Sequence, residues 1–386
     1  MHSIITGKVI SEAIQLRKHL HSYPELSGNE ESTAGHIRSV LLASKPDQLI
    51  DQLGGHGLAA VYDSGKDGPC VLLRADLDAL PIEEINTLDH KSRHSGMMHA
   101  CGHDGHMAIL AAVSMLLEKH RPSRGRVVLL FQPEEENGQG AAKVIADPKF
   151  QAIKPDQVYA LHNLPGFPKN KVLIREGPFA AASKGVIIQL TGRSSHAAHP
   201  EQGHSPVHMM TELMGALQDI PGKKEQFRDF CLLTIIHARL GEVAFGTNPG
   251  KATVMATLRT YRNDDMERLN HLVYDGACSL GKKHDIRVDI SYTEEFPATL
   301  NDREACNHVR EAARASGAEL LEIGEAFRWS EDFGHFTGMA PGALFGLGAG
   351  EHQASLHNPD YDFPDDIIPT GAGMFFKILQ QTVKLQ

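Results

Sequence analysis

The feature that most constrains this chain is a set of short apolar runs, each followed at once by residues able to bind metal. Residues 71–75 run into Asp76-Leu77-Asp78, 126–131 into Gln132-Pro133-Glu134-Glu135-Glu136, and 157–161 into His162-Asn163. With 57–63 these runs read as strands, and a helical pattern rich in Ala, Leu and Met occupies 104–120. Strands apolar throughout are buried on both faces, so the pattern predicts an α/β fold, a mixed sheet with helices on both faces. Upstream, Val9, Ala13, Leu16 and Leu20 share one helical face that Pro24 ends, and a second helix covers 30–43.

The pattern changes near Ser183. A strand at 185–192 precedes a helix that opens on Ser205-Pro206; strands at 231–239 and 252–261, a helix at 264–280 and a strand at 287–293 follow. Strand–helix–strand–strand–helix–strand predicts a compact α+β unit of ferredoxin-like type. After Pro297 the α/β pattern returns, with a helix at 302–316, an apolar run at 343–347 and a closing helix from 370. The expected organisation is a catalytic domain in two segments, 1–183 and 298–386, with a smaller domain, 184–297, inserted between them. A chain of 386 residues is long enough for two cores.

Net charge is −10, which argues against nucleic acid or an anionic membrane as the main partner. No apolar run is long enough to span a bilayer, and the N-terminus turns amphipathic and charged too early for a secretory signal. Five cysteines without paired spacing read as reduced thiols, so a cytoplasmic location is expected.

In open α/β sheets, ligands bind at the carboxyl ends of the strands, and packing does not require three strands to deliver carboxylates or imidazole there. The densest cluster is Met98-His99-Ala100-Cys101-Gly102-His103-Asp104-Gly105-His106, where Cys101 and His103 flank a glycine before a helix and can turn toward one point. Thiolate and imidazole suit zinc, cobalt, nickel or iron, and carboxylates add harder donors. The plainer readings are an inert core thiol for Cys101, helix packing for His106, and a solvated acidic turn for the glutamate run. Adjacent glutamates can also divide labour, one binding metal and the other taking a proton from water. Glu331 and Asp332 read equally well as site-lining residues and as caps of a short helix.

The chain resembles the M20 metallopeptidase clan, in its amidohydrolase branch of hippurate hydrolases, N-acyl amino acid deacylases and auxin-conjugate hydrolases. The resemblance rests on His21-Ser22-Tyr23-Pro24-Glu25-Leu26, Arg74-Ala75-Asp76-Leu77-Asp78-Ala79-Leu80-Pro81, residues 99–106 and 131–136, Leu161-His162-Asn163, Ser195-His196-Ala197-Ala198, Ser330-Glu331-Asp332-Phe333 and Leu356-His357-Asn358-Pro359. It implies a zinc-exopeptidase-like catalytic domain with two divalent metal ions per subunit (zinc, manganese, cobalt or nickel). The implied ligands are Cys101, His103, Glu136, His162 and His357, with Glu135 as general base and Asp78 tuning the site. The family pattern Phe-Gln-Pro-Ala-Glu-Glu aligns the functional pair with Glu135 and Glu136; a register one residue earlier is the other alignment.

The inserted unit is similar to the family's lid and dimerisation domain, which implies a homodimer. There His196 is expected to reach the reacting carbonyl; the plainer reading is a loop histidine satisfied by backbone. Arg259 is expected to grip a substrate carboxylate. Asn248, in Gly246-Thr247-Asn248-Pro249, stands where many relatives read Asn-Val-Ile-Pro and is carried as a second substrate contact. The expected activity is hydrolysis of the amide bond of N-acyl amino acids or similar small conjugates. A dipeptidase or carboxypeptidase on the same scaffold is the alternative. A binding protein that lost catalysis is the remote one, and a missing ligand or base would be its signature.

Overall fold

In the computed structural model, which describes residues 5–385, eight strands join into one mixed sheet. Their order is Gln48–Leu53, Gly57–Asp63, Arg126–Gln132, Cys70–Asp76, Gln157–Pro165, Gly342–Gly350, Val172–Ile174 and Leu320–Glu322. The four strands from Arg126–Gln132 to Gly342–Gly350 run parallel. Gly57–Asp63 pairs antiparallel on both its sides, and Val172–Ile174 lies antiparallel to Gly342–Gly350. The α/β fold with a mixed sheet is therefore as the sequence predicts.

Every residue of Cys70–Asp76 is buried, because helices and loops cover both faces of the sheet there. Val71, Leu73 and Ala75 enter the core shared with the helices His103–Leu117 and Ile368–Thr382. Strand alternation sends Leu72, Arg74 and Asp76 to the opposite face, which is how Arg74 comes to meet Asp76. His103–Leu117 is buried on all sides, Met115 alone being partly open, so it is the central helix of this core. These elements belong to one compact unit, Met1–Phe179 with Thr299–Glu325 and Asp332–Gln386.

The second unit comprises Ala180–Ala298 and Ala326–Glu331. Its antiparallel sheet has the order Cys231–Leu240, Lys251–Thr260, Ala182–Thr191, Arg287–Phe296. On Lys251–Thr260 the alternate residues Ala252, Val254, Ala256 and Leu258 are buried. They pack against Met209, Leu213 and Leu217 of the helix Val207–Asp219 and Leu269, Val273 and Ala277 of Asn263–His284. Connectivity and strand order together give a ferredoxin-like α+β unit. Asn263–His284 runs a turn beyond the expected stop at 280, with Lys282, Lys283 and His284 favoring its C-terminal dipole and Asp285 ending it at φ 52°. Among the described residues no helix is long and apolar enough to cross a membrane.

Candidate metal centre

Parallel pairing explains why distant motifs meet. Asp76 lies opposite Gln132, and Arg74 opposite Ala160, so 76–78, 132–136 and 162–163 all gather at the carboxyl edge of these parallel strands. Cys101 and His103 are turned toward the same edge by Gly102, which precedes the central helix at φ 93°.

At this edge Cys101 Sγ lies 3.5 Å from His162 Nε2. His162 Nδ1 donates to its neighbour's carbonyl, Asn163 O, at 2.9 Å, which turns Nε2 inward. His103 Nδ1 likewise donates to Asp78 O at 2.9 Å. Its Nε2 is buried without a hydrogen-bond partner, 3.8 Å from Glu136 Oε1 and 3.9 Å from Glu135 Oε2. His357 reaches in from the C-terminal part of the same unit, with Nε2 3.9 Å from Glu136 Oε2. Its backbone takes the left-handed value φ 64° and its N–H donates to Ala100 O at 2.9 Å. A non-glycine residue there costs about 1–3 kcal/mol, a cost that clusters at functional positions.

Three overlapping sets of donor atoms result: Cys101, His103 and His162; Cys101, Glu136 and His357; His103, Glu135 and Glu136. Within each set the donor atoms lie within 4.8 Å of one another. One thiol, three imidazoles and two carboxylates suit divalent ions of borderline softness, and the shared donors suit two adjacent ions. The electrostatics agree. Burial opposes a charge on His103, yet Cys101, Asp76 and the hydrogen bond to Asp78 outweigh it and hold its pKa well above the ordinary histidine value. The thiol and carboxylates gathered around His103 are a surplus of acidic groups that a divalent ion would balance.

The three glutamates face different ways. Glu134, at φ 55°, accepts from Lys143 Nζ at 2.7 and 2.8 Å and from Asn137 Nδ2 at 3.1 Å, and it belongs to none of the donor sets. Asp78 supports Glu136 from behind: its Oδ2 accepts the Glu136 N–H at 2.9 Å and the Ser27 hydroxyl at 2.7 Å. Burial alone would raise the Asp78 carboxyl, but His103 and these donors hold it below the usual carboxylate range.

A further set, Asp76 with His103 and His106, has the right residue types but a different chemistry. Arg74 already neutralises Asp76 through contacts of 2.5 and 2.7 Å. His106 Nε2 lies 2.5 Å from Asn163 Oδ1, and burial with the neighbouring His162 and His103 keeps its ring well below the ordinary histidine value. We read His106 as holding Asn163, in line with the packing role open to it from sequence. Of the two readings open to Asp332, the side-chain cap is not the one seen. The short helix Gly334–Thr337 has Phe333 at its N-cap and no side-chain cap, whereas Asp332 is buried against Arg74, Gln132 and Ala141.

The remaining candidates lie in the second unit. His196 is exposed in the two-residue strand Ser195–His196, which pairs with Thr247–Asn248. Its Nδ1 accepts the Ala198 N–H at 3.0 Å, so Nε2 carries the ring proton. Asn248 Nδ2 donates to Ser195 Oγ at 3.1 Å and to Pro200 O at 3.3 Å, bracing the loop that carries His196. Arg259 donates to Arg328 O at 2.7 Å and Ser330 Oγ at 2.9 Å. Burial lowers its pKa, and no carboxylate among the described residues forms an ion pair with it.

The chain is similar to known proteins along most of its length. Residues 72–381 match the family described as Peptidase family M20/M25/M40. The N-acetyl-L-cysteine deacetylase of Bacillus subtilis is 31% identical over 359 residues, 92% of this chain and 85% of the relative. The hippurate hydrolase of Campylobacter jejuni is 30% identical over 372 residues, 96% of each chain. Among solved structures, the Bacillus subtilis YXEP protein, a dinuclear metal binding peptidase from the M20 family, superposes with a TM-score of 0.84 at 25% identity, covering 98% of this chain and 99% of that one.

Proposed function

The chain belongs to peptidase family M20/M25/M40, and from that premise we propose that it cleaves the amide bond of N-acyl amino acids. Membership makes it a metal-dependent amidohydrolase; the substrate class and the roles of individual residues are our reading. The observation that carries it is the convergence of Cys101, His103, Glu136, His162 and His357 on one edge, with Glu135 beside them. Two relatives with deacetylase and hippurate hydrolase activity point to an acylated amino acid as the substrate.

In this reading Cys101, His103, Glu136, His162 and His357 hold two divalent ions, for which zinc, manganese, cobalt and nickel all suit the donors. When bound, the ions supply Lewis acidity toward water and the scissile carbonyl. Glu135 accepts the proton of the attacking water and passes it to the departing amine, which must leave neutral. His196 offers its Nε2 proton to the oxygen that gains charge, and Arg259 takes the substrate carboxylate on its forked donors, with Asn248 bracing the loop between. The assignment of Glu135 is supported by the engagement of Glu134 with Lys143, which leaves the next two carboxylates to the metal edge.

A homodimer through the second unit completes the reading. The side chains of Ile236, Val243 and Phe245, all exposed on that unit, support an apolar contact there. The test of the chemistry is Glu135→Gln, which is expected to keep its metal and lose most turnover; wild-type activity in that variant overturns the assignment.

A further inference from the structure

The loop that carries Glu135 is clasped at both ends by one buried carboxylate. Gln132 closes the strand before the loop, and Ala141 lies in the first turn of the helix after it. Asp332 accepts from Gln132 Nε2 at 2.8 and 3.0 Å and from the Ala141 N–H at 2.8 Å. Its own N–H donates to Glu135 Oε1 at 3.4 Å. Thus one residue touches the loop's entrance, its exit and the carboxylate at its centre. Between these points the loop is tightly closed: Gly138 N–H donates to Glu135 O at 2.8 Å, and a Cβ on Gly140 would stand 1.7 Å from Pro133 O.

A fully buried carboxylate needs a counter-charge, and Arg74 supplies it. Its NH2 group lies 2.5 Å from Asp332 Oδ1 and 2.5 Å from Asp76 Oδ1, while Nε donates to Gln132 Oε1 at 2.9 Å. Phe333 lies under the guanidinium, 5.9 Å from Cζ to the ring centroid. All of these side chains are buried. Packing alone does not call for an arginine, a glutamine and two aspartates in such a place, because buried ion pairs contribute little net stability compared with apolar residues of the same shape. What the network supplies is directional constraint on the loop.

We infer that Asp332 is a positioning residue for the hydrolytic reaction, holding the Glu135 carboxylate in place, with Arg74 and Gln132 holding Asp332. This rests on the reading of Glu135 as the base. Asp332 shares no donor set with the five proposed ligands, and its N–H touches Glu135 directly, so its effect is expected on the rate more than on metal binding. Misplacing a reacting group by about 1 Å costs on the order of 100-fold in rate.

The test is a double-mutant cycle on the metal-loaded full chain with an N-acetyl amino acid, reading kcat, KM and bound metal for wild type, Asp332→Asn, Glu135→Gln and the double variant. Asp332→Asn should lower kcat by roughly 100-fold, with KM within about threefold of wild type and metal content unchanged. In the Glu135→Gln background the same substitution should cost almost nothing, because the group it positions is gone. If its loss multiplies with that of Glu135→Gln, or falls on KM or metal content, the inference is overturned. If Asp332→Asn does not fold, Gln132→Met removes the side-chain donor at the loop entrance and carries the same cycle, with the same pattern expected. A slow Asp332→Asn beside a fully active Glu135→Gln would overturn the assignment of Glu135 itself, a result distinct from failure of the clasp.

Discussion

A Cβ placed on Gly102 would stand 2.6 Å from Asn163 Oδ1, closer than side chains approach one another. Asn163 has little room to yield, because Oδ1 lies 2.5 Å from His106 Nε2 and Nδ2 donates to Tyr361 Oη at 2.6 Å. Gly102 also sits at φ 93°, where an L side chain is strained. Since this turn aims both Cys101 and His103, Gly102→Ala should lower stability by about 1–3 kcal/mol and reduce bound metal. A thermal melt and metal analysis check this; full metal content at wild-type stability would show that the glycine does not set the turn.

Glu134 and Glu135 are neighbours with opposite surroundings, so their glutamine variants should differ sharply. Glu134→Gln weakens the pairing with Lys143, a partly exposed ion pair worth less than about 1 kcal/mol, and the bond from Asn137, neither of which belongs to the donor sets. Its turnover should stay within about threefold of wild type, whereas Glu135→Gln should lose roughly 100- to 10,000-fold. Steady-state rates on one substrate suffice. The reverse order would place the functional pair one residue earlier.

The buried His21–Asp104 pair, 2.8 Å apart, gives the fold a pH dependence of its own. Burial opposes the imidazolium, but the hydrogen bond and charge of Asp104 outweigh it and push the His21 pKa up from 6.5 to about 9. A folded pKa above the unfolded one gives stability that is fully present below pH 6.5 and lost as pH rises through about 9. The difference amounts to about 3 kcal/mol. Denaturant unfolding at pH 6 and pH 9.5 should therefore show a larger loss in wild type than in His21→Asn. Equal losses would mean that the pair is neutral in the folded state.

Among the described residues Arg259 has no carboxylate partner, which suits it to a carboxylate brought by the substrate. Arg259→Ala should raise KM roughly 10- to 100-fold for an N-acyl amino acid. The amide derivative of that amino acid, which lacks the carboxylate, should be cleaved equally well by both proteins. Equal sensitivity to both compounds would point to a structural role through Arg328 and Ser330.

The legible part of this protein was the part written in local pattern. Cys70–Asp76 and Arg126–Gln132 are buried on both faces, so their apolar runs stand out, and the ligating residues follow within a few positions. Gln48–Leu53 has no legible period, because it mixes exposed and buried residues and carries a bulge between Ile50 and Leu53. Val172–Ile174 and Leu320–Glu322 are three residues each, too short for any periodicity. Asp332 was ambiguous for another reason. Its partners Arg74, Gln132 and Ala141 are 258, 200 and 191 residues away, so nothing local separates a clasp from a helix cap. Cys101 and His103 were readable because a glycine between two donors before a helix is itself a local geometry.

The most direct test is amine release from N-acetyl and N-benzoyl amino acids, measured before chelation, after chelation, and after restoring zinc, manganese, cobalt or nickel. The account predicts that chelation abolishes release and that at least one restored ion returns it, with about two ions bound per chain. Release that survives complete metal removal, or no release with both ions bound, would contradict it.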